Sequence, residues 1–249
     1  MSFTEADLTH DGFLGGRVVL AQPRHGYRAA TDPVWLAAAC PARAGQSVLE
    51  LGCGAGAALA CLAARVPGLT LTGLELQPAY ADLARRNLPE GAEVVEGDLA
   101  RMPQALRARR FDHVIANPPF FAPDAGLRPA DPGRGTAHVE ETPLAVWIDA
   151  GLRRLADRGT LTLIHRTERL ADMLAPLSGR AGDVRILPLA ARSGRAADRV
   201  IVQARKGTRA PLRLLPPFVV HEGDRHPGDV AHFTPQAQAV LRDAGPLPV

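Results

Sequence analysis

The chain has 249 residues, of which 46% are hydrophobic and 22% charged, and its net charge is +3 at pH 7. These values are ordinary for a soluble globular protein with one sizeable core. No apolar run approaches the roughly 18 residues of a membrane span, and the polar, acidic first residues do not resemble a secretory signal. The three cysteines form no CxxC pair, which favours a reduced cytoplasmic protein and gives no metal-ligand spacing.

Predicted strands and helices alternate along the chain. The predicted strands are 47–51, 69–76, 92–98, 111–117, 160–165, 183–189 and 198–206. The predicted helices are 57–66, 78–88, 143–159 and a short terminal helix that begins after Thr234. This alternation predicts an α/β fold with a doubly wound, mostly parallel sheet.

Three glycines follow the first predicted strand, in the motif LELGCGAG (49–56). Gly52, Gly54 and Gly56 lie where the strand turns into a helix, and glycine permits a tight turn and a close approach of a ligand to the backbone. Glu75 ends the next strand, where an acid can accept hydrogen bonds from ribose hydroxyls. The loop also fits the pattern G-x-G-x-x-A, so these residues are compatible with either an adenosyl group or a dinucleotide such as NAD.

Two adjacent prolines follow an asparagine at the end of the fourth strand, in the motif IANPPF (115–120). Proline has no backbone N–H and restricts the residue before it to extended geometry. Asn117 and Pro118 are therefore expected to be rigid at the edge of the sheet, directly before Phe120.

Two further acids distinguish between the nucleoside ligands. A carboxylate at Glu50, at the end of the first strand, suits a cationic amino or sulfonium group and repels a pyrophosphate. Asp98, after the third strand, can accept a hydrogen bond from an adenine amine. With these acids, the ordered glycine loop, Glu75 and NPPF resemble the motif series of S-adenosylmethionine-dependent N-methyltransferases. The resemblance implies a class I methyltransferase fold, a Rossmann-like sheet of seven mostly parallel strands whose last strand is antiparallel.

The segment DGFLGGRVVLAQPRHGYRAATDPVWLAAA (11–39), together with NPPF, resembles a narrower family. It is similar to bacterial tRNA(Val) anticodon-loop adenine N6-methyltransferases, and the likeness spans most of the chain. It implies S-adenosylmethionine as cofactor, S-adenosylhomocysteine as product and tRNA as partner, without a metal or a membrane. The residues assigned to the cofactor are Arg28, Thr31, Asp32, Glu50, Gly52, Gly54, Gly56, Glu75, Leu76, Asp98, Leu99 and Asn117.

Other acceptors of the methyl group remain open at this point. Many adenine-modifying relatives carry tyrosine where this sequence has Phe120, which keeps the stacking face and lacks the hydroxyl. NPPF also occurs in ribosomal RNA guanine N2-methyltransferases. Protein glutamine N5-methyltransferases use a similar motif on a side-chain amide.

The chemistry of an exocyclic amine explains why NPPF suits this reaction. The amine is a poor nucleophile because its lone pair is delocalised into the ring. We expect the Asn117 side-chain oxygen and the Pro118 carbonyl to accept hydrogen bonds from its two N–H groups and so orient it. Phe120 is expected to stack on the base, a contact worth about 1–3 kcal/mol in nucleic-acid complexes.

The segment from Arg185 to Arg213 is basic, with Asp198 as its one acid. Such a segment is compatible with a polyanion such as RNA or with a solvated basic face. The residues predicted to contact the substrate are Phe120, Phe121, Arg192, Arg195, Arg199 and Lys206.

We expect three parts along the chain. Residues 1–45 form an extension that covers the cofactor site, 46–210 form the methyltransferase domain, and 211–249 form an extension packed on the same domain.

Overall fold

The structure is a computed structural model that describes residues 2–120, 142–225 and 232–249. Its strands are β1 (Leu8–Phe13), β2 (Val18–Pro23), β3 (Ser47–Leu51), β4 (Thr70–Glu75), β5 (Glu93–Glu96), β6 (Phe111–Ala116), β7 (Leu155–Arg166), β8 (Ala181–Ala190), β9 (Arg199–Lys206), β10 (Arg213–Leu214) and β11 (Phe218–Val219). Its helices are α1 (Asp32–Ala39), α2 (Ala57–Arg65), α3 (Pro78–Asn87), α4 (Gln104–Arg107), α5 (Leu144–Arg154), α6 (Leu170–Leu174) and α7 (Pro235–Asp243).

One large sheet organises the molecule, in the order β10-β8-β9-β7-β6-β3-β4-β5, with β11 also paired to β8. Strands β3, β4, β5, β6 and β7 all run parallel to one another. Strand β9 runs antiparallel to both β7 and β8. The predicted class I methyltransferase fold is therefore confirmed, and the two-residue strands β10 and β11 extend the seven predicted strands at one edge.

Two apolar layers cover the two faces of this sheet. Ile115 and Ile201 belong to a cluster with helices α1, α2 and α7, whereas Val114 and Val202 belong to a cluster with α5. Successive residues of a strand point to opposite faces, so a strand buried on both faces is apolar without alternation. That is why β3 and β6 were recognisable in the sequence as short, largely apolar segments.

The first strands form a separate hairpin, in which β1 and β2 pair antiparallel. The predicted elements begin only at residue 47, so this hairpin and α1 were missed. The terminal helix α7 was predicted correctly: the Thr234 side chain accepts a hydrogen bond from the N–H of Ala237 and caps the first turn. Beyond α7, the N–H of Leu247 donates to the carbonyl of Ala38 at the end of α1.

The helix predicted over 143–159 is shorter in the structure. Helix α5 ends at Arg154, and Leu155 already has extended geometry and pairs with Phe111 in β6. Arg154 is buried and donates to the carbonyls of Leu106 and Arg107, which draws the end of α5 against the α4 turn. No helix in the described ranges is both long enough and apolar enough to cross a membrane.

Acid should destabilise the protein through His113, which is 6% exposed in β6. Burial lowers the pKa of His113 from 6.5 to about 4, so the unfolded chain binds this proton more readily than the folded protein. The contribution of His113 to stability is therefore complete above pH 6.5 and is lost as the pH falls towards 4, by about 3 kcal/mol in total. Urea unfolding of His113→Gln should show a smaller loss of unfolding free energy over this interval than the wild type. An equal loss in both proteins would contradict this account.

Candidate active site

A cavity opens at the carboxyl edge of the parallel strands, where sheets of this kind bind ligands. The predicted residues that line it are Gly52, Gly54, Glu75, Leu76, Asp98, Leu99, Asn117, Pro118 and Phe120. A smaller adjoining cavity is lined by Glu50 and Asn117, among others. The ends of four strands meet at this edge of the sheet, and most of the predicted site residues are thus brought together.

The glycine turn has backbone geometry that other residues rarely adopt. Gly52, Gly54 and Gly56 have φ values of +64°, +53° and +86°. A Cβ added at Gly52 would lie 2.6 Å from the ring of Trp147, which packs under the turn. The site therefore requires glycine at position 52 for both conformation and space.

Glu75 connects the glycine turn to the end of β4. One carboxylate oxygen accepts the N–H of Gly54 at 2.8 Å, and the other accepts the N–H of Gln77 at 2.9 Å. Burial raises the pKa of Glu75, and these backbone hydrogen bonds oppose that rise. Each oxygen keeps a further lone pair beside the cavity, so the carboxylate fits the two hydroxyls of a ribose.

Glu50 is the second buried acid of the site, at 3% exposure. Its Oε2 atom has no hydrogen-bond partner among the described residues. Burial raises its pKa well above the ordinary value, and the nearby Glu75 adds to the rise. A buried acceptor without a partner suits a cationic amino group, and that is the chemistry of the methionine end of S-adenosylmethionine.

The far wall of the cavity fits an adenine. Leu76 is 58% exposed and presents apolar surface to the cavity. Asp98 caps the turn Leu99–Arg101 by accepting the N–H of Ala100 at 2.8 Å, which fixes its carboxylate at the cavity wall. The donor and acceptor set along this cavity therefore fits the adenosyl cofactor that the sequence implies.

Asn117 follows β6 and borders both cavities. Its Oδ1 atom is buried and has no hydrogen-bond partner in the part of the chain that the structure describes. Leaving a buried acceptor without a partner costs about 1–3 kcal/mol, so its retention beside a cavity points to a ligand that donates to it.

Phe120 is held by two side chains from distant parts of the chain. Its ring stands nearly perpendicular to that of His165, with centroids 5.4 Å apart. The guanidinium of Arg199 lies over the ring, 4.7 Å from its centroid. Asp32 accepts a hydrogen bond from Nε of Arg199 at 3.1 Å. Burial raises the pKa of Asp32, and the charge of Arg199 opposes that rise.

The predicted residues before β3 do not reach the cavity wall. Arg28 donates to Asp11 and Thr9 of β1 at 2.7 and 2.8 Å and to the Pro23 carbonyl of β2 at 3.1 Å, so its guanidinium connects the two strands of the hairpin. Thr31 is exposed before α1, and Asp32 pairs with Arg199. Tyr27, which was not among the predicted site residues, lines both cavities instead.

The predicted RNA-contacting residues separate into three environments. Arg192 is 7% exposed and donates to the carbonyls of Glu222 and Gly223, so it faces the interior. Arg199 is partly buried and lies over Phe120, and Arg195 is exposed in the connection between β8 and β9, at the same edge as NPPF. Lys206 is at the other end of β9, which spans 8 residues and so about 23 Å. Phe121 lies outside the described residues.

Three other residues near the site were not predicted from the sequence, because the helices and strand that carry them contain no recognisable motif. Trp147 is on α5, Tyr80 is on α3, and His165 is the penultimate residue of β7. Tyr80 accepts a hydrogen bond from the N–H of Tyr27 at 2.9 Å and so fixes Tyr27 at the cavity wall. A buried aromatic residue on an amphipathic helix ordinarily indicates core packing, so the sequence carried no distinct signal for these positions.

The parallel sheet with an antiparallel β9, the glycine turn and the acid at the end of β4 define a class I S-adenosylmethionine-dependent methyltransferase. A family model described as "Methyltransferase domain" matches residues 48–128. A solved structure from Agrobacterium tumefaciens, described as a predicted O-methyltransferase, is 28% identical with a TM-score of 0.70 and covers 88% of this chain and 99% of that one.

Within this class, the chain belongs to the tRNA1(Val) (adenine(37)-N6)-methyltransferase family. A relative with that name from Porphyromonas gingivalis strain W83 is 31% identical over 179 residues, which are 65% of this chain and 69% of the relative. A second from strain ATCC 33277 is 33% identical over 157 residues. That alignment spans 57% of this chain and 61% of the relative. The resemblance predicted from the sequence is thereby confirmed.

Proposed function

We propose that this protein transfers a methyl group from S-adenosylmethionine to the exocyclic N6 amine of an adenine in tRNA. The observation that carries the proposal is the buried Oδ1 of Asn117, which has no hydrogen-bond partner among the described residues and lies next to Pro118 at the wall of a cavity that also fits an adenosyl group. The names of the relatives, which specify adenine 37 of tRNA1(Val), support adenine and tRNA as the acceptor.

The cofactor supplies an electrophilic methyl group on a sulfonium. In our proposal, Glu75 accepts hydrogen bonds from the ribose hydroxyls, and Glu50 accepts a hydrogen bond from the amino group. Asp98 accepts a hydrogen bond from the adenine amine. Leu76 and Leu99 contact the adenine ring. Asn117 Oδ1 and the Pro118 carbonyl accept the two N–H groups of the substrate amine and turn its lone pair towards the methyl group. Because the prolines fix this backbone, little ordering remains for the moment of reaction.

Phe120 and the arginines beside it supply the substrate surface. Stacking of a base on Phe120 orients its amine towards Asn117, and Arg195 and Arg199 lie at the same edge to meet phosphates. We further propose that residues 1–45 complete the cofactor site, with Tyr27 at the cavity wall, that 46–210 form the methyltransferase domain, and that 211–249 pack on it. A tRNA substrate would place the activity in the cytoplasm.

The direct test is methyl transfer to RNA. The protein is incubated with methyl-labelled S-adenosylmethionine and total cellular RNA, and the RNA is digested and analysed as nucleosides. Label in N6-methyladenosine from the tRNA fraction supports the proposal. Label in N2-methylguanosine, or in protein glutamine when extract protein is added, would replace it with one of the alternatives that the sequence left open.

The salt dependence of RNA binding should distinguish the two ends of β9. Each lost phosphate contact flattens the slope of log affinity against log salt by about 0.7 for a single strand. We expect Arg195→Gln to flatten it by about this amount, because Arg195 is exposed at the site edge. Arg205→Gln is the matched control, since Arg205 is also exposed but lies at the opposite edge. Equal flattening in both variants would show that RNA does not select the NPPF edge.

A further inference from the structure

His165 is completely buried at the end of β7, and both of its ring nitrogens contact backbone groups. Nδ1 lies 2.9 Å from the N–H of Arg166, which can only donate, so Nδ1 carries a lone pair. Nε2 must then carry the hydrogen, and it lies 3.1 Å from the Pro119 carbonyl, which can only accept. These contacts define one tautomer of a neutral imidazole that donates to Pro119.

The protonation state agrees with this geometry. Burial lowers the pKa of His165 from 6.5 to about 4, so the ring is neutral under physiological conditions. A charged ring would carry a second hydrogen on Nδ1, which would face the N–H of Arg166, itself a donor.

The hydrogen bond from His165 anchors the Pro118–Pro119 segment, which cannot form the regular backbone hydrogen bonds of a sheet. Strands β6 and β7 pair as far as Ala116 and Leu163. Pro118 and Pro119 follow and have no N–H groups, so their carbonyls are the only backbone groups that can anchor them. His165 lies two residues beyond Leu163 and donates a hydrogen bond to the Pro119 carbonyl. This hydrogen bond connects NPPF to β7 beyond the last paired residues of the two strands.

The same imidazole also contacts the side chain that follows. The rings of His165 and Phe120 are inclined at 82°, an arrangement favoured by the charge distribution of aromatic rings. Arg199, held by Asp32, lies over the Phe120 ring. The backbone before Phe120 and its ring are thus both oriented by His165.

We propose that His165 is a positioning residue, which holds the Pro119 carbonyl and the Phe120 ring so that Asn117 and Pro118 meet the substrate amine in the reactive geometry. This rests on the proposed function of the NPPF site. His165 acts through NPPF and does not itself touch the substrate.

Two substitutions separate the contacts of His165. His165→Phe keeps an aromatic ring and loses the donor to Pro119, whereas His165→Gln keeps a donor and loses the ring. We expect His165→Phe to lower kcat by about 10- to 100-fold with an unchanged affinity for S-adenosylhomocysteine, as for supporting groups of other sites. His165→Gln should recover most of that loss.

His113→Phe is the matched control, because His113 is also buried and hydrogen-bonded, to Gln46, at the opposite end of the neighbouring strand. It should leave kcat at the wild-type value. The proposal is overturned if His165→Phe turns over as fast as His113→Phe, or if His165→Gln is as slow as His165→Phe.

A measurement on the wild-type protein tests the proposal without a variant or a substrate. Nitrogen-15 NMR of the imidazole should show the hydrogen on Nε2 and no titration near the ordinary pKa of 6.5. A hydrogen on Nδ1, or titration near that value, overturns the proposal. If the acceptor proves to be a protein amide, the tRNA assignment fails, and the same kcat comparison on that acceptor still decides the role of His165.

Discussion

Asn117→Ala should lower kcat by about 100- to 1000-fold, the range found when one preorganised hydrogen-bonding group is removed from a transition-state site. The substitution removes the acceptor Oδ1, which has no hydrogen-bond partner in the described ranges, so no hydrogen bond between described residues is lost. The loss should therefore fall on kcat, with little change in melting temperature or cofactor affinity. The measurement is single-turnover methyl transfer together with calorimetry of S-adenosylhomocysteine.

Asn87 provides the contrasting variant, since it is the other asparagine of the chain. Its amide accepts the N–H of Ala21 and donates to the carbonyls of Ala21 and Ala55, each at 2.9 Å. Asn87→Ala should cost about 2 kcal/mol of stability, a fall of about 4–8 °C in melting temperature, while the folded protein still turns over. If Asn117→Ala behaved like Asn87→Ala, NPPF would be a structural turn.

Asn117→Asp should retain more activity than Asn117→Ala and far less than the wild type. The carboxylate keeps an acceptor oxygen for the amine. It also places a negative charge beside the cationic sulfonium, which stabilises the bound ground state and so raises the barrier from it. Equal activity of the Asp and Ala variants would show that the acceptor oxygen is not what the site uses.

Glu75→Ala should weaken the binding of S-adenosylhomocysteine by about 1.5–3 kcal/mol, or roughly 10- to 150-fold, as hydrogen bonds to a charged group are lost. Glu75→Gln should recover little of this. Both carboxylate oxygens accept backbone N–H groups, from Gly54 and Gln77, and the amide nitrogen of glutamine would meet one of these donors with another donor. Calorimetry of each variant measures the loss.

Glu96→Gln is the control for this comparison. Glu96 is exposed and lies directly opposite Glu75 on the neighbouring strand β5. Its substitution should leave the affinity unchanged. Unchanged affinity in Glu75→Ala would place the ribose elsewhere, and tight binding of NAD without binding of the adenosyl cofactor would overturn the cofactor assignment as a whole.

The parts of the site that the sequence predicted are those fixed by neighbours along the chain. A glycine turn after a buried strand, an acid at the next strand end and prolines after Asn117 each have a local physical meaning, and the parallel sheet then brings them to one edge. The end of α5 was missed for the opposite reason: Leu155 leaves the helix because it pairs with Phe111 in β6.

The residues that support Phe120 depend on contacts between distant parts of the chain. Asp32 and Arg199 are separated by 167 positions and meet because β9 begins at the carboxyl edge of the sheet. The same strand carries Lys206 to the other edge, so a basic segment that is continuous in sequence is divided in space. Charge composition alone contains no information about strand direction.

The most direct test of the account is mass spectrometry of nucleosides from an unmodified tRNA transcript, incubated with S-adenosylmethionine and either the wild-type protein or Asn117→Ala. We expect N6-methyladenosine with the wild type and its near absence with the variant. Methylation of guanine instead, or equal N6-methyladenosine from both proteins, would contradict it.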